Sequence, residues 1–177
     1  MTTYLELIVP ISFNESWFRD LRERLDGVNV RWQRNFYHIT MVFVNHAPDA
    51  VNLVPGLNDI LSGTMAPAIT FDKLDAFTAS GGHSHIINLT ATEAPEEFQS
   101  LVQDLRDYFT SNGCTIQSGF RLHVTLGRVQ DPRARLRTIK EAISQVQLPA
   151  MTLDLTDVNY RIFKNYDKPL AHWQLTK

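Results

Sequence analysis

A chain of 177 residues, 44% hydrophobic and 20% charged, can bury a substantial core and has neither a disordered nor a fibrous composition. Its formal net charge of −2 excludes nucleic-acid binding by bulk electrostatics, so any nucleic-acid partner must be gripped locally. The single cysteine, Cys114, excludes an internal disulfide, which fits a reducing cytoplasm, and no apolar run approaches the roughly 18 residues a membrane span needs; with Glu6 and Pro10 near the start and no basic segment there, neither signal peptide nor anchor is expected, and the chain is taken to be a monomer.

Residues 5–11 read as a strand. Ser12 with Glu15 has the form of a capping box ahead of Trp17, Phe18, Leu21 and Leu25, predicting a helix that ends at Gly27. Residues 36–44, rich in β-branched and aromatic types and followed by breakers, predict a strand carrying His38. A short helix interrupted near Pro55 and Gly56 fits 50–62, and 68–77 alternates as a strand does. Gly81-Gly82 then makes a hairpin of that strand with 85–90. Pro95 opens a helix with Phe98, Leu101, Val102, Leu105 and Phe109 on one face, closing at Asn112-Gly113. Residues 122–129 form a predicted strand carrying His123. Asp131-Pro132 caps and opens a helix with Leu136, Ile139, Ile143 and Val146 on one face, and strands at 153–163 and 170–175 finish the chain. Strand–helix–strand units flank the central hairpin without sequence self-similarity outside the motif strands. The expectation is one α+β domain over 1–177: two lobes with a pseudo-two-fold, two antiparallel-rich sheets around a central cleft, and helices outside.

Of the six histidines, only His38 and His123 have a hydroxyl residue at i+2, in the apolar contexts HITMVF and HVTLGR. Strand alternation puts His38 with Thr40, and His123 with Thr125, on one face. Either motif alone has an ordinary reading, a hydrogen-bonded histidine beside a β-favouring threonine. Two imidazoles and two hydroxyls around one cleft instead suit a phosphodiester: one histidine activates the attacking oxygen and the other protonates the leaving one. The threonines donate to the non-bridging oxygens, with Arg128 reinforcing the charge. No metal and no cofactor are needed for this scheme, and the sequence does not say which histidine is the acid.

His38-Ile39-Thr40-Met41 with Phe43, His123-Val124-Thr125-Leu126-Gly127-Arg128, and their separation of 85 positions resemble the 2H phosphoesterase superfamily, in particular its branch of 2′-5′ RNA ligase-like, RNA 2′,3′-cyclic phosphodiesterases. The resemblance implies a bilobal fold with a central cleft and metal-independent hydrolysis of 2′,3′-cyclic or related nucleotide or RNA-end phosphodiesters. The first motif departs from the family's usual phenylalanine-leucine-glycine continuation, Val44-Asn45-His46 following Phe43, so the resemblance speaks for the superfamily more than for the branch. Two other readings stay open: a non-catalytic nucleotide- or RNA-binding module, and a 2′-5′ ligase running the reverse reaction.

Phe36 shares the face of His38, where it could stack a base or pack in the core. His83 and His85 flank Ser84 in the glycine loop, as a solvated hairpin, a substrate contact or two metal ligands lacking a third. Arg121, Arg133, Arg135 and Arg137 read mostly as solvated charges, as do Arg31 and Arg34, and His46 and His172 have no assigned role.

Overall fold

The computed structural model describes residues 1–131 and 133–177. Its strands are β1 (Thr3–Ile8), β2 (Val30–Trp32), β3 (His38–His46), β4 (Ala68–Phe71), β5 (Lys73–Thr78), β6 (His85–Thr90), β7 (Thr115–Ile116), β8 (Val124–Val129), β9 (Met151–Asp154), β10 (Asp157–Ile162) and β11 (Ala171–Gln174); its helices are α1 (Ser16–Arg24), α2 (Val54–Leu61), α3 (Glu96–Ser111) and α4 (Leu136–Ile143). The longest helix, α3, shows why they form. Phe98, Leu101, Val102, Leu105 and Phe109 recur every three or four residues and are all buried, Glu96 and Glu97 meet the positive end of the helix, and Gly113 supplies the positive φ (75°) just past the C-cap Asn112.

Strands pair antiparallel in the order β11-β10-β1-β3-β8-β6-β5, with β2 beside β8 and β7 beside β3 completing a nine-stranded sheet; β4 and β9 form a separate two-stranded one. The expected antiparallel α+β architecture is what the chain adopts, and its two strand sets are fused into one sheet through a single pair, Ile39 with Val124. The element order β1 α1 β2 β3 α2 β4 β5 recurs as β6 α3 β7 β8 α4 β9 β10. The halves are interlocked: β2 pairs with β8, β7 with β3, β10 with β1 and β4 with β9. Each motif strand carries a bulge residue just after its threonine. Leu5 and Glu6 face Val42 and Thr40, leaving Met41 over; Ile87 and Asn88 face Gly127 and Thr125, leaving Leu126 over. The extra residue returns Phe43 and Arg128 to the face of the motif residues. The other face, with Leu5, Leu7, Ile39, Ile87, Leu89 and Val124, joins the buried faces of the helices in one hydrophobic cluster.

Several local expectations are corrected. The Ser12–Glu15 capping box does not form: the Ser12 hydroxyl accepts the Asn14 N–H (3.1 Å) in a local turn, and Glu15 is an N-cap without a side-chain bond. Pro55 sits in the first turn of α2, where its missing N–H costs nothing, so it starts that helix and does not interrupt it. The strand expected at 68–77 is two, β4 and β5, in different sheets, broken at Asp72, whose N–H turns to the Thr90 carbonyl and whose carboxylate takes the Thr92 N–H. That at 153–163 divides likewise into β9 and β10. Asp131 Oδ1 caps a turn by accepting the Arg133 N–H (2.9 Å), and α4 begins at Leu136; the helix-opening role read for Pro132 lies outside the described residues.

Candidate active site

Strand parity and register assemble the site. With Ile39 opposite Val124 in an antiparallel pair, His38 lies across from Thr125 and Thr40 across from His123. β3 starts at His38, whereas His123 stands immediately before β8, so the second histidine is on the strand's approach and not within it. The outer neighbours bring two further polar side chains to this face: Glu6 opposite Thr40, and Asn88 opposite Thr125.

The face opens as a trough with two chambers. One, of about 430 Å³, is lined by His38, Thr40, Thr125 and Arg128 together with Tyr4, Phe36, Phe163 and Tyr166, and Arg31 and Arg161 add positive charge. The other, of about 390 Å³, is lined by His123 with Phe77, Phe120 and Arg121. Thr40 and Phe43 line both, so the chambers meet at the motif residues. Arg128 Nη1 donates to Ser84 Oγ (2.9 Å), which ties it to the glycine hairpin at the chamber wall.

The rings are held differently. His123 Nδ1 lies 2.9 Å from the Arg121 carbonyl; a carbonyl only accepts, so Nδ1 carries the proton and Nε2 is the bare nitrogen of the neutral ring. Burial lowers its pKa and the Arg121 charge adds to this, while the carbonyl bond opposes both. His38 is pushed down to about 4, by burial first and then by the positive charges of His123 and Arg161. Its Nδ1 is buried without a hydrogen-bond partner, 3.8 Å from Oε2 of Glu6, which is equally buried and equally unpartnered. Oε1 of Glu6 accepts from Arg161 Nε (2.5 Å) and Asn159 Nδ2 (3.2 Å). Burial raises the Glu6 pKa, and the Arg161 contact, with the bond from Asn159, pulls it back.

All six residues singled out from the sequence, His38, Thr40, His123, Thr125, Arg128 and Phe36, line the trough. The Phe36 ring stands 5.4 Å from that of His38, with the Arg161 guanidinium 5.6 Å from its centroid. His85 is turned to other duties, one ring nitrogen 3.1 Å from Thr78 Oγ1 and the other 3.1 Å from the Ala134 carbonyl. His172 pairs with Asp157, and Arg137 with Glu141 on the surface. Among the described residues no group of three or more His, Cys, Asp or Glu could hold a metal ion. Sequence reasoning missed Glu6, Tyr4, Arg161, Phe163 and Tyr166. An acid inside the apolar strand TYLELI was the one available signal, since a charge on a buried face requires a partner.

A family model described as the 2′-5′ RNA ligase superfamily matches residues 11–167. The chain belongs to that superfamily. No curated protein matches it, but solved members of the same fold do. E. coli LigT complexed with 3′-AMP shares 17% identity over 99% of this chain and 98% of LigT, with a TM-score of 0.60. Kluyveromyces marxianus Usb1 with uridine monophosphate shares 9% over 99% and 98%, at 0.65. The PDE domain of MHV ns2 shares 13% over 98% of each chain, at 0.50. At these identities the likeness is one of fold, the 2H phosphoesterase fold. No helix among the described residues of this superfamily member is long and apolar enough to cross a membrane.

Proposed function

We propose that the chain is a metal-independent phosphodiesterase that hydrolyses 2′,3′-cyclic or related 2′-5′ nucleotide or RNA-end phosphodiesters, with His38 and His123 as its acid–base pair. The observation that carries this reading is the cross-strand quartet, in which each imidazole faces the other motif's threonine across the seam. A phosphate seated there has a nitrogen base on either side. One imidazole takes a proton from water, the water oxygen bonds to phosphorus, the P–O bond to one ribose oxygen breaks, and the other imidazole protonates that oxygen, leaving a phosphomonoester. Thr40 and Thr125 donate to the non-bridging oxygens and Arg128 offsets their charge. Phe36 offers an apolar face for a base. Superfamily membership and the nucleotides bound by LigT and Usb1 support a nucleotide substrate.

The test is hydrolysis of a panel of 2′,3′-cyclic nucleotides and cyclic-phosphate-ended oligonucleotides in EDTA by wild type, His38→Ala and His123→Ala. Turnover by the wild type and its loss in both variants is the expected result; nucleotide binding without turnover would instead identify a binding module. A second reading has its own support. Chambers of about 430 and 390 Å³ on the two sides of the quartet leave room for a substituent at each end of a linear diester, as 2′-5′ cleavage or its reverse, ligation, would require. Analysis of products from 2′-5′-linked dinucleotides and from concentrated RNA ends separates the two.

A further inference from the structure

We propose that Glu6 is the positioning residue of His38: its Oε2 holds the proton of the imidazole on Nδ1, fixing the tautomer whose bare Nε2 faces the phosphate, and the pair closes to a hydrogen bond when the cleft is loaded. The kinetic consequence rests on the proposed phosphodiesterase reading; the tautomer itself does not.

Two buried polar atoms without partners stand 3.8 Å apart, one an acceptor and the other a ring nitrogen that can carry a proton. The remaining capacity of the carboxylate is engaged, since Arg161 and Asn159 both reach Oε1 and leave Oε2 aimed at the ring. Bonds of this kind are often long in an unliganded site and shorten in the reacting complex. The pseudo-two-fold makes the assignment sharper. Asn88 takes the place of Glu6 opposite the second threonine, so that position carries an amide and no charge, and His123 is held by the neutral Arg121 carbonyl. Only one of the two rings therefore has an anion behind it. The titratable and charged groups around His38 are Tyr4 and Glu6 on β1, Arg161 on β10 and His123 beside β8. Arg161 disfavours an imidazolium at His38, as His123 does whenever its own ring is protonated, and Glu6 is the carboxylate placed to oppose them. A ring that begins neutral and is stabilised as it gains charge is suited to take the proton from water, which leaves proton donation to His123.

Glu6→Gln tests this with little change of shape. Its carbonyl oxygen can keep the bonds to Arg161 and Asn159, while its NH₂ places a donor where Oε2 stood. A donor facing Nδ1 selects the opposite tautomer, with the proton on Nε2 and no lone pair for water. The readout is long-range ¹⁵N–¹H correlation on histidine-labelled protein without substrate at pH 8, His38 being assigned by its absence from His38→Asn. Wild type and Glu6→Asp are expected to show the Nδ1–H form and Glu6→Gln the Nε2–H form. On a cyclic nucleotide, kcat of Glu6→Gln should fall roughly 10²–10⁴-fold with KM changed far less, Glu6→Asp retaining most of the rate. An Nε2–H tautomer in wild type, or an unchanged tautomer in Glu6→Gln, overturns the proposal; should that variant not fold, the wild-type and Glu6→Asp spectra decide it. The expected tautomers in a protein inactive on every substrate would uphold the positioning role and overturn the phosphodiesterase reading.

Discussion

Gly127 lies between Thr125 and Arg128 in the strand that also pairs with β2, and it has no room for a side chain. A Cβ there would stand 2.7 Å from the Trp32 ring and 2.8 Å from Val30 Cγ1, where ordinary contact begins at 3.4 Å. Gly127→Ala therefore requires β2 to retreat by about 0.7 Å. Val30 is β-branched and has few rotamers in which to yield, and the three residues of β2 pair only with β8. Overpacking of this kind costs about 1–3 kcal/mol. Removing a glycine from a strand interior returns about 0.5–1 kcal/mol. The net loss is thus about 0–2.5 kcal/mol with a midpoint near 1.3 kcal/mol, the midpoint corresponding to roughly 3–5 °C in Tm for a chain of this size. Arg31, between the two displaced residues, lines the trough. Its displacement should raise KM several-fold while leaving kcat within about twofold, because no proton passes through it. Calorimetry with steady-state kinetics on a cyclic nucleotide checks both effects. A Tm above that of the wild type would refute the steric argument, since it would mean that β2 gives way without cost.

Thr40→Val and Thr125→Val keep the β-branched shape and remove only the hydroxyl, so each should lower kcat/KM by about 10- to 100-fold, the worth of a hydrogen bond to a charged oxygen, with Tm nearly unchanged. Ser84→Ala releases the Arg128 guanidinium from its 2.9 Å tether and should raise KM a few-fold, read in the same assay. In acid, the unfolded chain protonates His38 near its ordinary pKa of 6.5 but the folded one only near 4. Protons thus favour unfolding across that window, and stability falls as pH drops from 6.5 towards 4. Urea melts should show a loss on the order of 2–3 kcal/mol over that range, which His38→Asn largely abolishes.

The candidate site's face was legible because it depends on two short-range facts, the period of two in strands and the repetition of HxT in like contexts. What joined the motifs was not, as the pairing of Ile39 with Val124 links residues 85 positions apart. Glu6 escaped because its significance comes from residues on other elements, His38, Asn159 and Arg161. Seen alone, TYLELI is an ordinary strand. Arg161, Phe163 and Tyr166 likewise reach the trough only because β10 crosses back to β1. Strands β2 and β7 are too short to leave a periodic trace, and Ser12–Glu15 shows that a correct pattern fails when the chain enters its helix later than the pattern implies.

The interlocked strands have a consequence for how such a protein could be divided. A polypeptide ending after β5 would leave β2 and β4 without their partners, β8 and β9, and would strip β1 of β10, since all three come from the second half. Two copies of a single repeat could close those edges only by exchanging strands, and each copy would bring one histidine and one threonine to a shared site. Joined in one chain, the two copies can diverge, so that a carboxylate stands behind one imidazole and an amide occupies the matching place in the other repeat. The chemistry of a symmetric dimer thereby acquires a direction.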